Sequence, residues 1–264
     1  MSSHATRSAE PLDLWIRDMP SPPRLADLRQ QRFELTSRGD RVPGRLLLPS
    51  DRGVRHPLVL LQHGAGGAKD ADYLDAAAVP WVRAGAAVAS IDFPLHGERA
   101  SAKLGIDLLR GLVATAPGSA GDDFRLGLVR QAVADLGRTL DALADHPELD
   151  SSRLVYAGFS MGAILGALFC ADDPRPRAAA LALAGGGIGP TEVDPAAHIA
   201  RFSPRPLLFV NATRDQVIPR KATEALFEAA GDPKQIVWFD SDHAGLRGAA
   251  LKAMWGFLRE PLGL

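Results

Sequence analysis

Six short apolar runs recur along the chain without polar alternation, at residues 58–61, 86–91, 154–157, 178–184, 207–210 and 236–239. A strand that is apolar on both faces belongs in a parallel sheet covered by helices on both sides. Between these runs the spacing changes to that of helices. Over residues 123–143, Leu126, Val129, Val133, Leu136, Leu140 and Leu143 recur every three or four positions and mark one buried face. Pro147 bars that helix from continuing. Residues 163–169 and 246–258 also read as helical. Ahead of the first run, residues 33–36 and 45–48 read as an antiparallel pair joined at Ser37-Arg38-Gly39-Asp40. The alternation predicts an α/β fold, with one doubly wound, mostly parallel sheet and helices on both faces. Sites in such sheets form at the carboxyl ends of the strands.

Residues 1–31 are rich in Pro, Ser and charge, and read as an N-terminal arm, either loose or a short docking helix. Its Trp15, Ile16 and Leu25 give it something to pack against the body. Residues 32–264 read as a single domain, with no repeat and no linker. An apolar stretch around residues 12–16 could equally cover a second copy, so a homodimer is a possible assembly.

Composition narrows the class. Of 264 residues, 46% are hydrophobic and 23% charged, which excludes a disordered chain, a collagen-like repeat and a coiled coil. The 30 Lys and Arg against 31 Asp and Glu leave a net charge of -1, with no general attraction to nucleic acid or an anionic membrane. The one cysteine, Cys170, excludes an intramolecular disulfide framework and a multi-cysteine metal site. No apolar run approaches the ~20 residues that span a bilayer, and residues 1–20 lack the apolar segment of a secretory signal. A cytoplasmic location is the expectation.

The most informative stretch is Gly158-Phe159-Ser160-Met161-Gly162, between the apolar run 154–157 and the helical run 163–169. A serine on a sharp strand-to-helix turn has a strained backbone. Side chains two positions to either side would collide, and Gly158 and Gly162 remove them. The new helix aims its first N–H groups at the serine, where they favour developing negative charge.

A second glycine-rich loop, His63-Gly64-Ala65-Gly66-Gly67, follows the run at 58–61. Small residues let this backbone approach a ligand. The Ala65 amide, with that of Met161, is the expected pair of oxyanion donors. A nucleotide loop is the main rival. A dinucleotide fingerprint would need glycine where Lys69 stands, and a phosphate loop would need a Gly-Lys-Ser/Thr ending that is absent. His63 reads as a structural hydrogen bonder, with Gly64 allowing the close approach.

A serine nucleophile needs a base, and the base an orienting carboxylate. Asp215 follows the run at 207–210 and His243 the run at 236–239, so both fall on the same sheet edge as Ser160. His4, His56, His146 and His198 fall in the arm, at the wrong edge, at a helix end, or in the wrong order. His96, in Asp92-Phe93-Pro94-Leu95-His96-Gly97, is at the correct edge and is read as shaping its loop, with Asp92 or Glu98 as partner. Asp194 and Asp242 are the fallback carboxylates.

With these motifs in place, residues 32–264 resemble the α/β-hydrolase superfamily, and within it the dienelactone hydrolase and prolyl-oligopeptidase-like serine esterase branch. The resemblance implies a sheet of about eight strands with one antiparallel edge strand, and assigns Ser160, Asp215 and His243 as the triad. Dienelactone hydrolases proper use a cysteine nucleophile where Ser160 stands here. Ala65 also interrupts the glycine run found in hormone-sensitive lipases. The expected activity is hydrolysis of small-molecule carboxylic esters through an acyl-enzyme on Ser160, with no metal and no organic cofactor. An amidase or small peptidase with the same triad, or a non-catalytic ligand-binding protein on this scaffold, are the alternatives. Residues 100–121, with Leu104, Ile106, Leu108, Leu109, Leu112 and Val113, are expected to form a small apolar lid.

Overall fold

A computed structural model describes residues 10–101, 120–187 and 190–264. The expected lid falls almost wholly outside them. The strands are β1 (Trp15–Met19), β2 (Arg29–Ser37), β3 (Asp40–Leu48), β4 (His56–Gln62), β5 (Ala87–Ile91), β6 (Leu149–Phe159), β7 (Ala179–Ala182), β8 (Leu207–Ala212) and β9 (Lys234–Phe239). They form one sheet of nine strands in the order β1-β2-β3-β5-β4-β6-β7-β8-β9. From β5 to β9 all neighbours are parallel, while β1, β2 and β3 join antiparallel. The six apolar runs are the six parallel strands.

The lack of alternation has its cause in the two cores. On one face Leu58, Leu60, Tyr156, Leu181 and Phe209 pack with Leu136, Leu140, Ala163 and Ala167. These last four come from helices α2 (Ala120–Leu143) and α3 (Met161–Asp172). On the other face Val59, Leu61, Val155, Ala157, Leu208 and Val210 pack with Leu74, Trp81, Met254 and Leu258. These belong to α1 (Asp72–Arg83) and α5 (Ala249–Leu262). Each central strand therefore buries odd and even positions alike. Helix α4 (Arg220–Ala229) adds Leu226 to the first core.

The antiparallel pair is as expected, with β2 and β3 joined by a two-residue turn. Arg38 and Gly39 both take positive φ, 52° and 81°, the geometry that matches the twist of a tight hairpin. Opposite Gly44 in the register lies Phe33, whose ring occupies the space a side chain there would need.

The arm differs from expectation. Residues 15–19 are strand β1, paired along β2 from Trp15↔Glu34 to Met19↔Gln30, which brings the sheet to nine strands. Trp15 anchors it: its indole N–H donates to Glu34 Oε1 at 3.3 Å, and the Arg17 and Arg32 guanidinium groups lie 5.1 and 5.7 Å from its ring. The pairing satisfies backbone groups at a sheet edge, a gain that residue type alone does not announce.

Register fixes the site's location. Gln62 pairs with Gly158 and Ala212 with Phe239, so the loops after β4, β6, β8 and β9 leave from one edge. Helix α1 is pinned there by a buried ion pair. Arg45 Nη1 and Arg24 Nη2 donate to Asp75 at 2.5 and 2.6 Å, and the Arg45 and Asp75 side chains are both under a tenth exposed. Removing one partner strands the other's charge in the interior. Asp75→Ala is expected to cost about 3–5 kcal/mol of stability in denaturant titrations. An Arg45→Met, Asp75→Leu double variant is expected to recover most of that loss. A double variant as unstable as the single one would show that the charge is not the cause.

Candidate active site

The strand-to-helix turn at Ser160 is sharp. Ser160 has φ 50° and ψ -115°, outside the regions open to an ordinary side chain. Its amide donates to the Ala182 carbonyl at 2.8 Å, and its own carbonyl accepts from Ala163 and Ile164 at 2.9 Å each. The flanking glycines are dictated by contact. A Cβ on Gly158 would lie 2.6 Å from the Gly162 carbonyl, and one on Gly162 would lie 2.6 Å from the His63 carbonyl oxygen. The second contact packs the elbow directly against the loop after β4. Beneath it the Tyr156 hydroxyl donates to the Gly162 carbonyl at 2.5 Å.

Ser160, His243 and Asp215 are brought together. Ser160 Oγ lies 2.9 Å from His243 Nε2, and His243 Nδ1 lies 2.8 Å from Asp215 Oδ2. A carboxylate can only accept, so Nδ1 carries the proton and Nε2 offers its lone pair to the serine hydroxyl. Asp215 is itself fixed, because its Oδ1 accepts the Val217 and Ile218 amides at 2.8 and 2.9 Å. The fallback carboxylates are occupied elsewhere. Asp194 accepts from Gly187 and Ala196, and Asp242 from Ala244.

Met161, the first residue of α3, and Ala65 offer amides with no intrachain acceptor among the described residues. Gly64 lets these two stretches meet, since a Cβ there would stand 3.2 Å from Ser160 Cβ. The loop is tied down from behind. The Lys69 backbone and ammonium both donate to Asp92, at 2.8 and 2.9 Å, and the ammonium reaches Glu98 at 2.7 Å. Burial pulls the Lys69 pKa down, but Glu98 and Asp92 outweigh it and hold it above its usual value.

His63 is fully buried. The Phe93 amide donates to its Nε2 at 3.2 Å, so Nδ1 carries the proton and donates to the Gly64 carbonyl at 2.8 Å. Burial depresses its pKa from 6.5 to about 4. His96 stands behind it, ring centroids 5.3 Å apart. Its Nδ1 bonds the Pro94 carbonyl at 2.8 Å rather than Asp92 or Glu98, the partners expected for it. The reason is that Asp92 is filled by Lys69 and by the Glu98 amide, while Glu98 pairs with Lys69 and Arg32.

Ser160 and His243 open into a cavity of about 700 Å³, lined by Gly64, Ala65, Tyr73, Phe159, Leu183 and Leu251 among others. Asp72 and Arg247 also line it, and both are exposed. Tyr73 and Leu183 were not legible in the sequence as site residues. Tyr73 enters from α1, and Leu183 is turned in by a left-handed backbone, φ 59°. Among the described residues no group of three or more His, Cys, Asp or Glu is placed to hold a metal ion, and no helix is long and apolar enough to cross a membrane.

The sheet order, the elbow and the Ser-His-Asp arrangement together define an α/β-hydrolase fold. Residues 120–249, which carry all three of those side chains, match the model of the dienelactone hydrolase family. No curated protein matches the chain in sequence. Solved structures of the same fold include a cold-adapted esterase from an Arctic intertidal metagenomic library. It is 22% identical, with TM-score 0.74, over 93% of this chain and 97% of that one. Acetyl xylan esterase 1 from Thermoanaerobacterium sp. is 20% identical, with TM-score 0.73, over 95% and 88%. A puromycin-hydrolyzing peptidase from Mycobacterium tuberculosis is 19% identical, with TM-score 0.69, over 90% of this chain and 40% of that one.

The depressed pKa of His63 has a measurable consequence. Folded, the imidazole resists a proton that the unfolded chain accepts near pH 6.5. The stability due to the neutral ring is therefore complete above pH 6.5 and lost as pH falls towards about 4. The loss expected from this residue is about 3 kcal/mol. His63→Gln, which keeps a donor and an acceptor, is expected to show a shallower fall in Tm over that range. Parallel Tm curves for the two proteins would remove His63 as the source.

Proposed function

We propose that the protein is a serine hydrolase that cleaves carboxylic esters of small molecules through an acyl-enzyme on Ser160. The observation that carries this reading is the continuous hydrogen-bonded chain Ser160–His243–Asp215 opening into a cavity. The match of residues 120–249 to the dienelactone hydrolase family and the esterases that share the fold support it.

In this reading Ser160 Oγ attacks the ester carbonyl while its proton passes to His243 Nε2. The imidazolium is stabilised by Asp215 across the 2.8 Å bond. The carbonyl oxygen takes the negative charge and is met by the amides of Met161 and Ala65, at the positive end of α3. The tetrahedral adduct collapses, the C–O bond to the alcohol breaks, and the alkoxide leaves with the proton from His243. Water then enters and gives a proton to the same histidine as its oxygen attacks the acyl carbon; the bond to Ser160 Oγ breaks, Oγ takes that proton back, and the acid is released. The mainly aliphatic and aromatic cavity wall, with Phe159, Leu183 and Leu251, suits an uncharged acyl or alcohol group. Amide cleavage would use the same atoms with a poorer leaving group.

A fluorophosphonate probe is expected to label the wild type at Ser160 and to leave Ser160→Ala unlabelled. Turnover of short-chain p-nitrophenyl esters is expected to fall by roughly 10⁶ in Ser160→Ala and roughly 10⁴ in Asp215→Asn, with Tm little changed. His243→Ala is expected to cost about as much as Ser160→Ala. A folded wild type that takes no probe would overturn the proposal, and equal rates on matched esters and amides would reassign it to amides.

A further inference from the structure

Gly64 is held from both sides. Its carbonyl accepts from His63 Nδ1 at 2.8 Å and from the Gly67 amide at 3.0 Å. Its amide donates to the Tyr73 hydroxyl at 2.8 Å. The two carbonyl bonds lie on the peptide that follows the residue and the amide bond on the peptide that precedes it, and together the three hold both of its backbone dihedrals. A glycine has the widest dihedral freedom of any residue, so these bonds, rather than its own sterics, set its conformation. The Ala65 N–H belongs to the same peptide as the Gly64 carbonyl. In a trans peptide the two point in opposite directions, so the conformation of Gly64 decides where the Ala65 N–H aims.

Tyr73 is built to hold its side of this arrangement. It is the second residue of α1, two positions before Asp75, whose buried bond to Arg45 and part-buried bond to Arg24 pin the helix start. Its ring meets Phe159, the residue before Ser160, edge-on at 5.6 Å and 88°. The loop is shaped around its oxygen, because a Cβ on Gly67 would lie 2.7 Å from it. The residue as a whole is 42% exposed, yet desolvation raises the phenol's pKa above its ordinary value. None of these contacts is needed to complete the sheet or to form the triad.

We infer that Tyr73 is a positioning residue for acyl transfer, holding Gly64 so that the Ala65 N–H stays aimed at the carbonyl oxygen above Ser160. This rests on the reading of Ser160 as the nucleophile. Tyr73 acts through the loop, so its effect is expected on kcat and not on the base. Because the charge it serves develops only in the transition state, substrate binding is expected to change little.

Tyr73→Phe keeps the ring and its contact with Phe159 and removes only the hydroxyl that accepts from the Gly64 amide. It is expected to lower kcat about tenfold, short of the roughly hundredfold that follows loss of a direct oxyanion donor, with KM within about twofold. The pH profile of kcat/KM and the Tm are expected to match the wild type. Sulfur is a weak hydrogen-bond acceptor, so the rate ratio between an oxoester and its thionoester reports on the oxyanion donors. That ratio is expected to fall severalfold in Tyr73→Phe, which a general loosening of the fold would not produce. In hydrogen exchange, the Gly64 amide is expected to lose protection while the β4 amides keep theirs. A variant with wild-type kcat and a wild-type oxoester/thionoester ratio would overturn the assignment, as would an unchanged Gly64 exchange rate. A wild type with no turnover dependent on Ser160 would count against the parent reading, and the Gly64 exchange rate would still decide whether Tyr73 holds the loop.

Discussion

The close approach of two backbones, at the ends of β4 and β6, is the constraint on which the rest of the site depends. The chain must leave β6, turn within one residue and start a helix over the end of β4. Ser160 takes a left-handed conformation to make that turn, and Gly162 sits where any side chain would meet the carbonyls of Gln62 and His63. A strained residue of this kind costs on the order of 1–3 kcal/mol and persists only where its surroundings hold it. Here they do so through the bonds of Ser160 to Ala182, Ala163 and Ile164, and of Tyr156 to Gly162. The same closeness puts the loop after β4 beside the serine.

Polar groups behind that loop, Lys69 and Asp92 buried and Glu98 exposed, explain why it keeps its shape. Lys69, Asp92 and Glu98 tie it to the segment after β5, and His63 ties its carbonyl to the segment at Phe93. Asp75 and Arg45 fix the helix that lines the cavity. Buried ion pairs add little net stability against well-packed apolar substitutes, but breaking one is costly, so they act as locks on geometry. In this protein the locks surround the carboxyl ends of the strands, where a few tenths of an ångström matter most to chemistry.

Much of this was legible in the sequence, for identifiable reasons. Strands buried on both faces leave uninterrupted apolar runs, and β4 to β9 were found by that sign. The elbow was legible because Gly158 and Gly162 have a steric cause visible in their spacing around Ser160. Asp215 and His243 were placed by the rule that loops at one edge follow strand ends. Strand β1 was not legible, since Trp15 to Met19 is short, half-buried and lies in a segment rich in proline and charge. Helix α1 was missed for another reason: Pro80 lies inside it, a residue that argues against a helix interior, and an alanine run blurs its apolar stripe. Tyr73 was hidden with it.

The sequence by itself determined the class of fold, the six parallel strands in their order along the chain, and the placing of Ser160, Asp215 and His243 at one edge of the sheet. Those depend on periodicity, glycine sterics and chain order, all of which are local or nearly so. Only the tertiary structure decided the partner of His96, the tautomer of His63, the ninth strand and the seat of Tyr73 against Gly64. Each is a contest among hydrogen-bonding groups, some near in sequence and some distant, and such contests are settled by which groups the packed sheet and its loops bring within hydrogen-bonding reach of one another.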